Sequence, residues 1–498
     1  MIQINKIRLK ESPFHIFLVP VFFILSKYVQ YQGLSGTEVA IVVGLQLTLA
    51  IVFSWGLLYL VTRNATKSAL IISFCALLFL FFGDIRVYLK DSLILNLFSK
   101  YKFLLPTLIF IFFLFLKAIK SDKMTRRTNI FFSFLLLVFT SIEIIKVFQL
   151  RYQLKLENPA TELKFHDTIK QDLPDIYFLV PDCYPSSSYQ KEILEVDNNS
   201  FDDSLRNLGF LVLNQSKSNY NRTAFSMLST FNMSYPKIAD TSRASGPREY
   251  MLALKQISKA RLLQYLKKAN YEFINLSIFD LADTKALRKQ KFLSTTPREM
   301  FLSHTFWNYF SRDIYYAWFF KKANYKQNLN RQTNESLKQY NHKIIDTLLH
   351  NNFSSNKHPV FTYAHLNLPH FPYFYDENGK AYPPDSIYNE DMIVNKKRFA
   401  GYIRYTNKQL LQIINSIKSK TNNEAVIILQ SDHGLSDINT SRKLDAFRNY
   451  SAFYFPDGDY SMLYDSMSNV NSFRIIINKY MNQSLPLIPD QTFYIGIR

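Results

Sequence analysis

Five long apolar stretches crowd the first 150 residues of this 498-residue chain, and no stretch of comparable length follows them. A helix needs about 20 apolar residues to cross the hydrocarbon core of a bilayer. The stretches meet this length and are separated by short charged loops, at approximately residues 13–30, 38–62, 66–83, 103–119 and 129–149. The pattern predicts a transmembrane module of five helices over residues 1–150, rather than the buried helices of a soluble domain.

The basic residues of the connecting loops predict the orientation of this module. Lys6, Arg8 and Lys10 precede the first stretch, whereas the 31–37 loop has no basic residue. The loop KAIKSDKMTRRTN, before the fifth stretch, is strongly basic. Because basic loops face the cytoplasm, we expect a cytoplasmic N-terminus in an inner or plasma membrane. Five crossings then place everything after residue 150 on the extracytoplasmic, periplasmic side.

Basic residues exceed acidic residues along the chain, with a formal net charge of +20. Half of this excess lies in residues 1–150, and the later residues contain no long basic run. This distribution is not typical of a nucleic-acid-binding protein, so no nucleic-acid partner is expected. A basic outer domain suits an anionic lipid surface better.

Residues 151–173 are polar and are interpreted as a linker, after which the pattern changes. Short apolar runs typical of buried strands, such as DIYFLVP, LVLNQS, PVFTYAHL and EAVIILQSDHG, alternate with amphipathic stretches typical of helices. The alternation predicts that residues 174–498 form an α/β domain whose mostly parallel sheet is sandwiched by helices.

Two of the predicted strands end in acidic residues. Asp182 follows IYFLVP, and Asp432 and His433 follow VIILQS. An acid in such a position can cap a following helix. The carboxyl ends of parallel strands, however, are also where such folds bind ligands. Oxygen and imidazole groups without a thiolate are suited to Zn²⁺ or Mn²⁺, so these residues are candidate metal ligands.

Residues 300–322, MFLSHTFWNYFSRDIYYAWFFKK, are strongly aromatic but too polar for a sixth span. Trp and Tyr are favoured at the membrane interface, which makes an interfacial helix one interpretation. Ordinary core packing of an aromatic helix is the other.

Four motifs occur in a characteristic order: Asp182 after the first strand, SNYNRTAFSMLSTFNM at 218–233, FTYAHLNLPHFPY at 361–373 and ILQSDHG at 428–434. Together they resemble the sulfatase-like family of the alkaline phosphatase superfamily. The resemblance is greatest to its membrane-anchored branch, which includes lipoteichoic acid synthases and phosphoethanolamine transferases. It covers approximately residues 174–460 and implies a metal-dependent hydrolase or transferase.

The resemblance implies one divalent metal ion, Zn or Mn, with four ligands: Asp182, Thr223, Asp432 and His433. It also implies that Thr223 is the catalytic nucleophile. A threonine hydroxyl is weakly nucleophilic at neutral pH, and metal coordination stabilises its alkoxide. The sequence from Thr223 onward is typical of a helix, whose N-terminus favours a phosphoryl group. The alternatives are that Thr223 only caps this helix, or that Ser218 or Ser226 supplies the hydroxyl.

Three further residues are implied to bind substrate. His370 matches a family position that contacts the transferred group or protonates the leaving group, and His365 is expected in the same cavity. Arg222 is a candidate clamp for phosphate oxygens. Hydrogen-bonded structural histidines and a surface arginine are the corresponding alternatives.

Cys183 begins a partial match to the Cys-x-Pro-Ser-Arg signature at which sulfatases form formylglycine. The chain reads Cys-Tyr-Pro-Ser-Ser, so Ser187 stands where the signature has Arg. Cys183 also follows Asp182 directly, at the position of the family's first metal ligand. We therefore interpret the match as coincidental.

The leading functional hypothesis is transfer of a phosphorus-containing head group, of phosphoethanolamine or phosphoglycerol type. The donor would be a phospholipid, the acceptor a surface glycan or lipid, and the intermediate a phosphothreonine. One alternative is a sulfatase-like hydrolase of phosphate or sulfate esters that uses the same site. The other is a catalytically inactive membrane scaffold.

Overall fold

The structure, a computed structural model, describes residues 12–31, 37–92, 94–156, 165, 172–236, 247–288, 297–311, 313, 322–353, 357–388, 395–435 and 443–496. The chain forms two compact units. The membrane unit comprises Met1–Pro159 and Leu293–Tyr325. The sheet unit comprises Ala160–Phe292 and Lys326–Arg498.

The helices are, in chain order, α1 (His15–Gln30), α2 (Thr37–Thr62), α3 (Ala65–Leu80), α4 (Phe82–Asp91), α5 (Tyr101–Ala118), α6 (Asp122–Leu156), α7 (Asn199–Asn207), α8 (Thr223–Asn232), α9 (Pro247–Ile257), α10 (Arg261–Lys268), α11 (Pro297–Leu302), α12 (Phe306–Phe310), α13 (Lys322–His350), α14 (Pro384–Tyr388), α15 (Lys396–Lys420) and α16 (Asn469–Tyr480). Short helical turns lie at Asn96–Ser99, Ser187–Tyr189, Gln190–Leu194 and Lys443–Phe447. The strands are β1 (Ile176–Pro181), β2 (Leu211–Leu213), β3 (Glu272–Leu276), β4 (Val360–Leu366), β5 (Val426–Gln430) and β6 (Ser451–Tyr454).

All five predicted apolar stretches are helical, but the predicted count of five spans is not confirmed. By length and composition, α2, α5 and the first 30 residues of α6 can cross a membrane. Helices α3 and α4 form a pair bent by 53° that counts as a fourth span if it crosses as one. Helix α1 has 16 residues and is about 24 Å long, which is shorter than the hydrocarbon core of about 30 Å.

Part of the predicted aromatic segment, 300–322, lies outside the described residues. Its described part includes the end of α11 and all of α12. Phe301 is fully buried in a cluster with apolar side chains of α1, α2 and α3. Trp307, in contrast, is 63% exposed. The described part therefore packs within the membrane unit through Phe301.

Helix α4 holds this segment through two charged contacts. The Asp84 carboxylate lies 2.6 Å from Lys27 Nζ at the end of α1 and 2.8 Å from His304 Nδ1. Arg86 Nη1 lies 2.6 Å from Asp313 Oδ2. The Gly83 N–H also donates a hydrogen bond of 2.6 Å to the His304 carbonyl. These contacts tie the end of α1 and the start of α4 to His304 and Asp313.

The sheet unit contains a six-stranded sheet with the order β2-β6-β5-β1-β4-β3. Strands β3, β4, β1 and β5 are mutually parallel, and β6 is antiparallel to both β5 and β2. Every residue of β1, β4 and β5 is buried. Because successive side chains point to opposite faces, both faces of the sheet are covered. The predicted α/β fold with a mostly parallel sheet is confirmed.

The register of the central strands brings the predicted ligands to one edge. Leu179 of β1 pairs with Leu429 of β5, so Asp182 and Asp432 follow these partners by the same three residues. On the other side of β1, Val180 pairs with His365 of β4. Because the three strands are parallel, their carboxyl ends meet, and three separate stretches of sequence contribute to one site.

Candidate metal centre and nucleophile

A cluster of two carboxylates and one imidazole lies at the carboxyl edge of the sheet. Asp182, Asp432 and His433 each present a ligand atom within 4.8 Å of the others, and all three residues are buried. Burying two carboxylates is unfavourable unless charged or polar groups compensate for the lost hydration. The cluster has the donor types of a metal site.

Asp432 is fixed through one of its oxygens. Its Oδ1 accepts hydrogen bonds from the N–H groups of Cys183, at 3.1 Å, and His433, at 2.9 Å. Cys183 has a φ of 62°, a left-handed conformation that is uncommon outside glycine. Asp432 Oδ2 is buried without a hydrogen-bond partner among the described residues. One carboxylate oxygen is thus oriented, and the other is left for a ligand.

The tautomer of His433 follows from its contacts. His433 Nδ1 lies 2.7 Å from the Gly434 carbonyl, which can only accept, so Nδ1 carries the proton. The lone pair of Nε2 then points into the cluster, 3.4 Å from Asp432 Oδ2 and 3.9 Å from Asp182 Oδ1. A backbone carbonyl that orients the far nitrogen is typical of metal-binding histidines.

Asp182 is anchored by its backbone, because its N–H donates to the Leu366 carbonyl at 2.9 Å. Burial raises the pKa of the Asp182 carboxyl, but the His370, His365 and His433 imidazoles outweigh this effect and hold the pKa well below its usual range. Asp182 Oδ1 has no hydrogen-bond partner among the described residues. Asp182 is therefore an ionised carboxylate with an oxygen free to bind a cation.

Thr223 is the first residue of α8, and its Oγ1 lies 3.3 Å from His433 Nε2. The N-cap of this helix is Arg222, with an extended backbone at φ −138° and ψ 132° and no side-chain capping bond. Thr223 is consequently not the helix cap, which was one alternative for its role. The first N–H groups of α8 have no intrahelical acceptor, as at any helix start, and the Thr223 hydroxyl stands beside them.

The two rival hydroxyls have other partners. Ser226 Oγ donates to the Asp432 carbonyl at 2.5 Å, and Ser218 Oγ donates to the Tyr220 carbonyl at 3.1 Å. Ser226 therefore ties α8 to the strand end that carries Asp432. Neither hydroxyl competes with Thr223 for the centre of the cluster.

The residues present fit a divalent ion. Ligand atoms about 2.1 Å from one tetrahedral ion lie about 3.4 Å apart. The separations involving His433 Nε2 are 3.3, 3.4 and 3.9 Å. The unpaired oxygens of Asp182 and Asp432 complete a set of oxygen and nitrogen donors, which suits Zn²⁺ or Mn²⁺. The structure thus brings together all four predicted ligands.

Comparison with known proteins identifies the family. The sulfatase family profile matches residues 195–475, more than half of the chain. The chain belongs to the sulfatase family. The matched range contains Thr223, Asp432 and His433, whereas Asp182 precedes it. The protein is accordingly an enzyme of the sulfatase-like hydrolase or transferase type, so the inactive-scaffold alternative is not supported.

No curated protein sequence matches the chain. Among solved structures, this sulfatase-family chain is similar to the integral membrane protein lipooligosaccharide phosphoethanolamine transferase A (EptA) from Neisseria meningitidis. The two chains share 11% identity, and the match covers 97% of this chain and 95% of EptA with a TM-score of 0.38. The zinc complex of the C-terminal periplasmic domain of EcEptC from Escherichia coli shares 11% identity over 67% of this chain and 91% of that domain, with a TM-score of 0.38. BT33494S-sulf, a glycosaminoglycan-metabolism protein of Bacteroides thetaiotaomicron, shares 15% identity over 62% of this chain and 72% of its own, with a TM-score of 0.38.

The predicted substrate-binding residues of this sulfatase-family enzyme lie in different surroundings. His370 stands between two cis peptide bonds, Leu368–Pro369 and Phe371–Pro372, and its Nδ1 lies 2.5 Å from the Phe371 carbonyl. Arg222 Nε is buried and has no hydrogen-bond partner among the described residues. His365 lies beneath the cluster, with Nε2 3.6 Å from Asp182 Oδ2.

Tyr250 lies near the cluster and was not predicted from the sequence. Burial raises the pKa of the Tyr250 hydroxyl well above its usual value, and the Asp182 and Asp432 carboxylates raise it further. Tyr250 also hydrogen-bonds the backbone of Ala224, in the first turn of α8. With 32 tyrosines in the chain, no pattern singles out this one. Its neutral hydroxyl stands close to where the first turn of α8 meets the two carboxylates.

Proposed function

We propose that this sulfatase-family enzyme is a membrane-anchored transferase. It moves a phosphorus-containing head group, of phosphoethanolamine or phosphoglycerol type, from a phospholipid to a surface glycan or lipid through a phosphothreonine at Thr223. One observation carries the proposal: the Thr223 hydroxyl lies 3.3 Å from the lone-pair nitrogen of His433 at the start of α8. Two unpaired carboxylate oxygens stand beside it.

Asp182, Thr223, Asp432 and His433 would hold one divalent ion, Zn or Mn. When bound, the ion lowers the pKa of the Thr223 hydroxyl and offsets negative charge on the phosphoryl group. Hydrogen bonds within the protein orient the proposed ligands. The Gly434 carbonyl and two backbone N–H groups orient His433 and Asp432, so the ligands are held before substrate enters.

In the proposed reaction, Thr223 Oγ1 passes its proton to His370 Nε2 and attacks phosphorus in line. His370 Nε2 holds a lone pair because Nδ1 faces the Phe371 carbonyl. The Oγ1–P bond forms as the bond between phosphorus and the diacylglycerol oxygen breaks, and the departing oxygen takes the proton from His370 Nε2. An acceptor hydroxyl then passes its proton to His370 Nε2 and attacks the phosphothreonine, and that proton returns to Thr223 Oγ1 as the Oγ1–P bond breaks.

The start of α8 and Arg222 would bind the charged oxygens of the transferred group. The first N–H groups of a helix and its dipole favour an anion, and such fixed donors stabilise charge that develops in the transition state. The unpaired, buried Nε of Arg222 is a donor suited to a phosphate oxygen. Together they explain why a phosphoryl group, rather than a neutral one, would be transferred.

The proposed extracytoplasmic position of the site is supported by contacts within the membrane unit. The Lys27–Asp84 pair at 2.6 Å places the end of α1 beside the start of α4. His304, which follows α6 in the chain, lies 2.8 Å from Asp84. If these residues lie at one membrane face, an even number of crossings separates them, so the chain would cross with α2 and return before Asp84, and would cross and return again with α5 and α6.

The loops at the opposite face are basic. Arg63 lies between α2 and α3 and Lys67 lies in the first turn of α3, and KAIKSDKMTRRTN runs from the end of α5 into the first turns of α6. Basic loops face the cytoplasm, which supports an extracytoplasmic position for Asp84 and His304. An active site on that side would have access to lipid donors and surface acceptors.

Hydrolysis at the same site is the second candidate, because the sulfatase family match favours water as the acceptor. The residue facing His433 is a threonine, and Cys183 Sγ donates to the Gly434 carbonyl at 3.5 Å instead. This arrangement favours phosphate over sulfate esters, since no formylglycine precursor occupies the nucleophile position.

The proposal is tested by trapping the intermediate. Purified full-length protein is incubated with a phospholipid labelled at phosphorus, and the label is mapped by peptide mass spectrometry. We expect label on Thr223, none in Thr223→Ala, and unchanged labelling in Thr230→Ala, a control at the other end of α8. Normal turnover by Thr223→Ala would refute the assignment. Release of free head group at the same rate with and without a glycan acceptor would favour hydrolysis.

A further inference from the structure

His365 has an unusual environment for a histidine beside a carboxylate. Its side chain is 1% exposed, and its Nε2 has no hydrogen-bond partner among the described residues. That nitrogen faces Asp182 Oδ2 at 3.6 Å, which is within ion-pair distance but longer than a hydrogen bond. The other Asp182 oxygen, Oδ1, faces His433. Asp182 thus lies between two imidazoles.

The protonation of His365 is determined by its other nitrogen. The Tyr363 hydroxyl lies 2.7 Å from His365 Nδ1, and both residues belong to β4. If Nδ1 carried the proton, the Nε2 lone pair would face the lone pairs of a carboxylate. The favoured arrangement has Tyr363 donating to Nδ1 and the proton on Nε2, directed at Asp182.

The backbone of His365 is fixed as well. The Tyr340 hydroxyl of α13 donates to the His365 carbonyl at 2.5 Å. Burial raises the pKa values of the Tyr340 and Tyr363 hydroxyls well above their usual range. Both phenols are therefore protonated donors at neutral pH. Two buried hydroxyls thus hold His365 in one place and one tautomer.

His365 is separate from the proposed ligands. Among the described residues, the group whose ligand atoms lie within 4.8 Å of one another comprises Asp182, Asp432 and His433, without His365. Because its side chain is 1% exposed, His365 is also poorly placed for a substrate. His365 Nε2 faces Asp182 Oδ2, whereas His433 Nε2 faces the other oxygen, Asp182 Oδ1.

We propose that His365 is a positioning residue that orients Asp182 for metal binding through its Nε2–H, with Tyr363 fixing the tautomer. This inference rests on the metal site of the proposed function. It assigns His365 a different role from the substrate contact implied by the family resemblance. Groups that orient a metal ligand from outside typically contribute 10- to 100-fold to metal affinity.

The test measures the affinity of the full-length protein for Zn²⁺ and for Mn²⁺ by competition with a chromophoric chelator in detergent. We expect His365→Ala to weaken binding about 10- to 100-fold. His365→Gln places an amide N–H near the position of Nε2 and should recover most of the loss. Tyr363→Phe should weaken binding by a smaller factor, and it preserves the packing if His365→Ala fails to fold.

His342→Ala is the matched control, because His342 also pairs with a tyrosine hydroxyl, Tyr375 at 2.6 Å, but is exposed. It should bind metal like the unmodified protein. Unchanged affinity with a raised KM in His365→Ala would overturn the inference in favour of a substrate contact. A loss far above 100-fold without rescue by Gln would overturn it in favour of direct ligation. If the unmodified protein binds no metal, the proposed function fails instead.

Discussion

Replacing Asp432 by Asn should stabilise the metal-free protein while weakening metal binding. Asn keeps the shape of the side chain and the Oδ1 that accepts from the Cys183 and His433 N–H groups. The change therefore acts at Oδ2, which has no hydrogen-bond partner. An amide N–H at that position can donate to His433 Nε2, 3.4 Å away.

The magnitude follows from the charges that the substitution removes. Ligand oxygens of Asp182 and Asp432 lie within 4.8 Å of each other, and two unit charges at that separation repel by about 3 kcal/mol at an effective dielectric constant of 20. The neighbouring imidazoles offset part of this repulsion, so we expect a gain of about 1–3 kcal/mol. In a unit of this size the gain corresponds to roughly 2–6 °C in Tm.

The assay follows thermal unfolding of the full-length protein in detergent, with chelator and with added Zn²⁺ or Mn²⁺. In chelator, Asp432→Asn should unfold at a higher temperature than the unmodified protein. Added metal should raise the Tm of the unmodified protein, because it binds the folded state, but should leave that of Asp432→Asn unchanged. Asp203→Asn, at an exposed carboxylate on α7, is the control and should behave like the unmodified protein.

A lower Tm of Asp432→Asn in chelator would refute this reasoning. It would mean that the carboxylate charge stabilises the fold through its backbone donors alone. An equal rise in Tm on adding metal to both proteins would likewise exclude Asp432 as a ligand.

Two further substitutions test the packing on which the proposals depend. Gly83→Ala adds a Cβ 2.8 Å from the His304 carbonyl oxygen and should destabilise the membrane unit by about 1–3 kcal/mol. The control is Gly56→Ala, because a Cβ at Gly56 meets no atom within 4 Å. Equal hydrogen exchange of residues 297–311 in both variants would contradict the close contact. Arg474→Met removes hydrogen bonds of 2.8 and 2.6 Å to the Met233 carbonyl at the end of α8 and should destabilise the sheet unit by about 2–4 kcal/mol. Unfolding by urea at an unchanged midpoint would contradict this role.

The central strands could be predicted because their sequences permit little else. IYFLVP and VIILQ are continuous apolar runs, and β1 and β5 coincide with them. Strand β6 was missed: Ser451–Tyr454 has only four residues and pairs antiparallel with β5. A run this short is not distinctive, and its partner is fixed only by the tertiary fold.

The span count differs from the prediction for a related reason. The apolar stretch at 66–83 was treated as one helix, but the backbone bends by 53° between Leu80 and Phe82. Apolar composition continues across the bend, so hydropathy cannot detect it. Similarly, the predicted 13–30 stretch begins as a helix only at His15, which leaves it shorter than the bilayer core.

The candidate ligands were predicted with different kinds of support. Asp182, Asp432 and His433 follow from residues alone, because two parallel strands end in polar side chains. Thr223 depended on the family resemblance, since its 209-residue separation from Asp432 has no meaning until α8 is folded against β5. The Ser226–Asp432 hydrogen bond is the local contact that creates this proximity, and no sequence pattern reveals it.

The candidate site concentrates buried polar atoms that have no hydrogen-bond partner. Within the described part of the chain, thirteen buried side-chain atoms lack a hydrogen-bond partner, and four of them belong to candidate site residues: Asp182, Arg222, His365 and Asp432. Each such atom costs about 1–3 kcal/mol, a large fraction of a typical total stability of about 5–15 kcal/mol. A fold keeps such a concentration of unfavourable groups where a ligand compensates for it. Binding of metal and phosphoryl group should therefore stabilise the sheet unit, and neutral substitutions at these positions should stabilise it only when ligand is absent.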